Sequence, residues 1–357
     1  LTSGSITSTG GTLSFSDNLT LGTAGALDVT GSTLSVSGVL DLSSGTFTSN
    51  NSSVLDLQGV LELSTSNQAD FGNINFNGYE LTLGSASTHL RLCYDAGSSN
   101  RWPGSTFNTA NGSLTFICPL RMAGSSILKS TGGTITLESG GYVPYESRLS
   151  LQDTTLELQG DSTPTSNSWP SNAGTIGALR IWDNSTLELK NSLLVTNGNS
   201  VFMRSSAQLE VEGTQDLSGV VPDNSTTLRL AADSTINDNA TLSVGTLDLA
   251  DFALTLDDQM AGLSVVQPVT LDDAAEEIVT GAADLSLNGG INVTAGTLSS
   301  TGGSLSFPGG GTFASGSSFS TSNTTLNLGG SLTVADTWTV TSTSVSLTTD
   351  NASLSSP

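Results

Sequence analysis

The sequence predicts an all-β fold, a parallel β-helix (β-solenoid) with three short strands per coil and a coil length of about 21 residues. Three observations predict it. A self-similar pattern returns at a fixed offset, apolar and polar residues alternate in short runs, and the runs are separated by turn formers. The chain has 357 residues, of which 36% are hydrophobic and 11% charged, and 40 are glycine. Ser and Thr fill roughly a third of the positions. So sparse an apolar content supports folding only if it is placed regularly.

Taken in order from the start, Thr12-Leu13-Ser14-Phe15-Ser16-Asp17-Asn18-Leu19-Thr20-Leu21 matches residues 33–42, Thr-Leu-Ser-Val-Ser-Gly-Val-Leu-Asp-Leu. It returns at 54–63, Val-Leu-Asp-Leu-Gln-Gly-Val-Leu-Glu-Leu, so the offset is 21 both times and Leu13, Leu34 and Leu55 belong to one internal ladder. At the far end Leu298, Phe319 and Val340 are 21 apart, and Leu285, Leu305 and Leu326 step by 20 and then 21. Within a period the apolar triplets recur every six to eight residues, which leaves room for three strands and three corners. The missing 3.6-residue period and the density of Ser, Thr and Gly exclude helix. One coil cannot bury enough to order itself, so coils must stack and pair their backbone groups with the coils above and below. A β-sandwich also shows short alternating strands, but it does not hold one register over successive repeats. The uneven steps between triplets favour a right-handed helix over a left-handed one built from hexapeptides.

The whole chain, 1–357, reads as a single β-solenoid in three stretches. Residues 1–88 are regular repeat, 89–230 carry longer Pro- and aromatic-bearing loops, and 231–357 are regular again with an acidic loop near 272–277. That loop, Asp272-Asp273-Ala274-Ala275-Glu276-Glu277, reads as a solvated turn, with loose Ca²⁺ binding as the lesser alternative. No cofactor is expected otherwise.

Chemistry-bearing residues cluster in the middle. All nine Lys and Arg lie between Arg91 and Arg229, and the single His89, both Cys, all four Tyr and three of the four Trp lie between Tyr79 and Trp182. The period breaks at Arg101-Trp102-Pro103, Tyr142-Val143-Pro144-Tyr145 and Trp169-Pro170. Long loops on a regular scaffold are where ligands bind, and aromatic faces stack on sugars. Arg101, Trp102, Tyr142, Tyr145 and Trp169 are therefore the candidate ligand-binding loop residues. Cys93 and Cys118 are separated by one period plus a small insertion, which places them on neighbouring coils as a candidate disulfide whose strand parity is unfavourable.

Catalysis is not expected. A Ser-His-Asp arrangement would have to use His89, which reads as a strand-end histidine. Carboxylate pairs such as Asp153 with Glu157 arise by chance in a chain with 32 acidic residues. The net charge of −23 repels nucleic acid and anionic lipid, and no apolar stretch is long enough to insert in a membrane.

Strings such as Gly-Thr-Leu-Ser-Phe at 11–15, Leu-Thr-Leu-Gly-Thr-Ala-Gly-Ala-Leu-Asp-Val at 19–29 and Leu-Asn-Leu-Gly-Gly-Ser-Leu-Thr-Val at 326–334 resemble β-helical bacterial surface proteins. These are the filamentous-haemagglutinin-like adhesins and autotransporter passenger domains. The resemblance implies secretion to the extracellular space or cell surface, a right-handed β-helix, and an adhesive or scaffold role with no catalytic residues. Carbohydrate binding through the middle loops is the alternative, and a polysaccharide-cleaving β-helix enzyme ranks third. Neither end of the sequence looks like a polar cap, so the expected partners are flanking solenoid repeats or copies stacked end to end, besides a glycan or surface receptor.

Overall fold

In the computed structural model the described residues are all of 1–357 except 51, 66–67, 72, 76–80, 84–88, 93–101, 104–105, 110–112, 117–119, 124–126, 138–140, 144–146, 159–178, 182–183, 196–199, 238–240, 259, 336–337, 350 and 356–357. Among them there is no helix, and the strands stack in parallel about 21 residues apart as a β-solenoid. The chain forms two compact units, Leu1–Glu188 with Ser192–Val201, and Leu189–Asn191 with Phe202–Pro357.

In the first unit Thr12–Phe15, Thr33–Leu42 and Val54–Thr65 stack so that Leu13 pairs with Leu34 and Leu34 with Leu55, as the sequence period requires. Leu34 and Leu55 are fully buried. The alternation follows from strand geometry, because every second side chain points inward. The sequence register does not run through the whole coil. Between Thr33–Leu42 and Val54–Thr65 the pairing slips at Val36/Gly38, so that Leu40 faces Leu63 rather than Leu61. The slip lies opposite Gly38, whose φ of +92° suits glycine, and it arises because Val54–Thr65 carries two more residues there than its partner strand. On its other side the same turn is held by Asn18 of the preceding coil, whose Oδ1 accepts the Val39 N–H at 2.8 Å. The second unit repeats the device, with a slip at Val211/Gly213, φ +74° at Gly213 and the side chain of Asn191 against it.

Farther along the first unit, Gln68–Phe71, His89–Leu92, Ser113–Phe116, Thr134–Leu137, Thr155–Leu158 and Leu193–Val195 form one ladder. Its register pairs Ala69 with Leu90, Leu90 with Leu114, Leu114 with Ile135, Ile135 with Leu156 and Leu156 with Leu194. Three of these steps equal the sequence period, the step from Leu90 to Leu114 is slightly longer, and the step from Leu156 to Leu194 is nearly double. Extra chain enters between strands while the ladder keeps stacking.

Each coil of the second unit has three faces. The first runs through Ala253–Leu256, Glu277–Thr280, Thr297–Ser300, Ser318–Ser322 and Trp338–Thr341. The second runs through Thr241–Val244, Gly262–Val265, Asp284–Leu287, Ser304–Phe307, Thr325–Leu328 and Ser344–Leu347, and holds the predicted Leu285, Leu305 and Leu326 column. Val269–Leu271, Ile291–Val293, Gly311–Phe313, Ser331–Val334 and Ser353–Ser355 make the third. One predicted register is corrected here. Leu298 faces Phe319, but Phe319 faces Trp338, and Val340 faces Thr321. The last step therefore falls short of the sequence period. An aromatic stack accounts for it, with ring centroids 4.5 Å apart for Phe313 and Phe319 and 5.2 Å for Phe319 and Trp338.

Corners carry the polar chemistry. Asp41, Asp216, Asp223, Asp248 and Asp273 each accept the backbone N–H two residues on, closing an Asx turn. Asp28 does the same to Thr30, and that backbone hydrogen bond holds its carboxyl below the usual carboxylate range. These six carboxylates thus serve as turn formers at coil corners. Buried hydroxyls pair between coils, as Ser130 with Thr154 in the first unit and Ser300 with Thr324 in the second, both at 2.9 Å. In the second unit the corners at Gly289-Gly290, Gly309-Gly310 and Gly329-Gly330 bring backbone against backbone.

Candidate functional site

The middle segment was expected to hold any site. Arg101, Tyr145, Trp169, Cys93 and Cys118 lie outside the described residues. Trp102 and Tyr142 are placed by their backbones on one ladder, made of Trp102–Pro103, Leu120–Ala123, Gly141–Val143 and Leu179–Ile181. They occupy different columns. Trp102 shares its register with Met122, which is buried, whereas Tyr142 shares its register with Arg121 and Arg180. Arg121, Tyr142 and Arg180 thus occupy one backbone register column. Single-residue alternation separates the two columns, and the irregular loops concealed that parity in the sequence.

His89 opens the strand His89–Leu92, the strand-end position expected of it. Asp153 sits in a turn with φ +49°, and Glu157 lies within Thr155–Leu158, in register with Thr136 and Val195. The acidic loop is shorter than the sequence suggested, because Glu277 already belongs to Glu277–Thr280. Glu276 is buried, and its Oε2 accepts the backbone N–H groups of Asp272 at 2.7 Å and Asp273 at 3.2 Å. Its carboxylate closes the turn on itself. Among the described residues no group of three or more His, Cys, Asp or Glu is placed to hold a metal ion.

Ion pairs between strands were not anticipated from the sequence. In the first unit Arg148 lies against Glu188, its Nε and Nη2 each 2.9 Å from Oε2. Glu188 is buried while Arg148 is half-exposed. In the second unit Glu210, Arg229 and Asp248 share one register column. Arg229 reaches Glu210 at 3.6 Å and Asp248 at 3.3 Å, and Lys190 meets Glu212 at 3.0 Å. A buried carboxylate needs such a partner, and opposite charges on successive strands supply it. The equal spacing of Glu210, Arg229 and Asp248 along the chain was the available signal. These pairs tie neighbouring strands together.

Compared with protein-family models, curated proteins and solved structures, the chain matches none of them. The class that the structure defines is a parallel β-solenoid.

Proposed function

We propose that the chain is an extracellular structural or adhesive solenoid, a segment of a large surface protein or a subunit of an extracellular fibre, with no catalytic role. The observation that carries this reading is the use to which its polar residues are put. Asp41, Asp216, Asp223 and Asp273 close turns, Glu188, Glu210 and Glu212 pair with cations on neighbouring strands, and buried hydroxyls pair between coils. The polar groups that can be traced serve the stacking of coils rather than a reaction centre.

The last strands of the second unit's three faces favour a partner that continues the stack. Val340, Val345, Leu347 and Leu354 are exposed there, although residues in their positions one coil earlier are buried. Backbone and apolar columns together fit only another coil of the same cross-section, whether from flanking repeats or from a second copy docked end to end. Carbohydrate binding through the middle segment is the second reading, and the gathering of all four Tyr, three of the four Trp and most of the cations there favours it.

Antibodies against the purified chain are expected to label intact, unpermeabilised source cells, with the label retained during washes in soluble polysaccharide. Labelling only after permeabilisation overturns the extracellular assignment. Label released by soluble glycan supports the carbohydrate-binding reading instead.

A further inference from the structure

One corner of the second unit gathers the parts of a chemical reaction. It is Asn288-Gly289-Gly290, between the strands Asp284–Leu287 and Ile291–Val293. The Gly290 N–H donates to the Leu287 carbonyl at 3.0 Å and the Asn288 N–H to the Val265 carbonyl at 2.8 Å, which fixes the turn. The side chain of Asn288 is exposed, yet it is held at both ends. The Ser286 hydroxyl donates to Asn288 Oδ1 at 3.1 Å, and Asn288 Nδ2 donates to Ser264 Oγ at 3.0 Å. Ser264 and Ser286 are register partners on neighbouring strands, so the stacking itself brings both hydroxyls to one carboxamide. Among the described residues no hydrogen bond engages the N–H of Gly289. The other Asn-Gly pairs, at 77, 111 and 197, lie outside the described residues.

These groups match the steps of a deamidation. The Gly289 nitrogen is the nucleophile, and glycine has no Cβ to obstruct its approach to Asn288 Cγ. The Ser286 O–H lies on the amide oxygen, where negative charge develops in the tetrahedral intermediate. Ser264 touches the nitrogen that departs. Asn292 supplies the contrast, since its Oδ1 also accepts from a hydroxyl, that of Thr312 at 2.7 Å. The residue after it is the β-branched Val293, in a strand paired on both sides, and ring closure there is opposed.

We propose that Asn288 deamidates by itself in the folded chain, which makes this corner a modification site. Water or hydroxide takes the Gly289 N–H proton, the nitrogen bonds to Cγ, and the Cγ–Nδ2 bond breaks to release ammonia. Water then opens the succinimide at either carbonyl, leaving aspartate or isoaspartate at 288. Isoaspartate carries one extra carbon in the main chain, and the corner has no space for it. Even a Cβ on Gly289 would collide with the Pro268 nitrogen and the Gln267 carbonyl carbon. Isoaspartate therefore loosens the corner, whatever the protein binds and wherever it resides.

The test is peptide mapping by mass spectrometry on the full chain, aged in mildly acidic and mildly alkaline buffer, native and in urea. The parent is compared with Ser286→Ala and Asn288→Gln. In the native parent residue 288 is expected to convert to an acid, faster in alkaline buffer, while Asn292 and Asn327 in the same digest stay amides. Ser286→Ala slows the native reaction by roughly two- to tenfold, the factor of one neutral hydrogen bond, with circular dichroism unchanged. In urea the parent and that variant react equally, and Asn288→Gln abolishes the conversion. Native material enriched in isoaspartate melts below the fresh chain. An amide kept at 288 in the native chain but lost in urea overturns the proposal. So does a native rate that Ser286→Ala leaves unchanged, or a melting midpoint that isoaspartate does not lower. Should Ser286→Ala not fold, Ser264→Ala takes its place with the same expected slowing.

Discussion

Leu34→Asp is expected to abolish cooperative folding of the first unit. Leu34 is fully buried between Leu13 and Leu55 in a column of stacked strands. The backbone around it is committed to the coils on either side, so an aspartate there has no route to water and no cation on its column. A buried unpaired carboxylate of this kind costs at least about 4 kcal/mol, a large share of a domain's stability. Denaturant melts followed by circular dichroism should show the early transition lost or moved far downward. A variant that melts with the parent would mean that Leu34 is not inside a stack.

Gly309→Val should be nearly as damaging to the second unit, for a different reason. A Cβ on Gly309 would lie 2.6 Å from the carbonyl carbon of Gly289 and 2.7 Å from the nitrogen of Gly290. Those atoms are backbone of the adjacent coil, and they cannot turn away as a side chain can. Separating the coils locally breaks ladder hydrogen bonds and opens the corner, at a cost of roughly 3 kcal/mol or more. Gly316→Ala provides the contrast. Its φ is +94°, but an added Cβ meets nothing within 4 Å. Only backbone strain is incurred, about 1 kcal/mol. If both substitutions shift the melting midpoint equally, close approach is not what the corner glycines provide.

The legibility of the fold follows from what each signal depends on. Leu13, Leu34 and Leu55, or Leu285, Leu305 and Leu326, could be aligned because burial forces an apolar residue into the same column of every coil. The slip opposite Gly38 was concealed because residues 54–63 align with 33–42 without a gap, although the strand Val54–Thr65 spends two extra residues before Leu61 comes into register with Gly38. Trp338 replaced Val340 beneath Phe319 because aromatic stacking outweighed a strict period. The paired glycines at 289–290, 309–310 and 329–330 recur once per coil and were readable as corners where backbones meet. For the candidate site, composition located the cluster but not its geometry. Trp102 and Tyr142 looked equivalent as loop aromatics, yet their register columns differ. The Glu210, Arg229 and Asp248 column was hidden because the charges in it change sign, and a search for repeated residue types passes over that pattern.

The central claim is the parallel in-register stack, and paired cysteines test it most directly. In a Cys93→Ser/Cys118→Ser background, Ser286→Cys with Ser306→Cys places two thiols on directly paired positions of neighbouring strands. Their spacing of roughly 4.8 Å falls inside the range a disulfide spans. Ser286→Cys with Asn327→Cys places them two coils apart, at roughly twice that distance. Under mild oxidation the account predicts an intramolecular disulfide in the first pair, with the β signal intact, and free thiols in monomers of the second. Bridging of the second pair and not the first would contradict the stack.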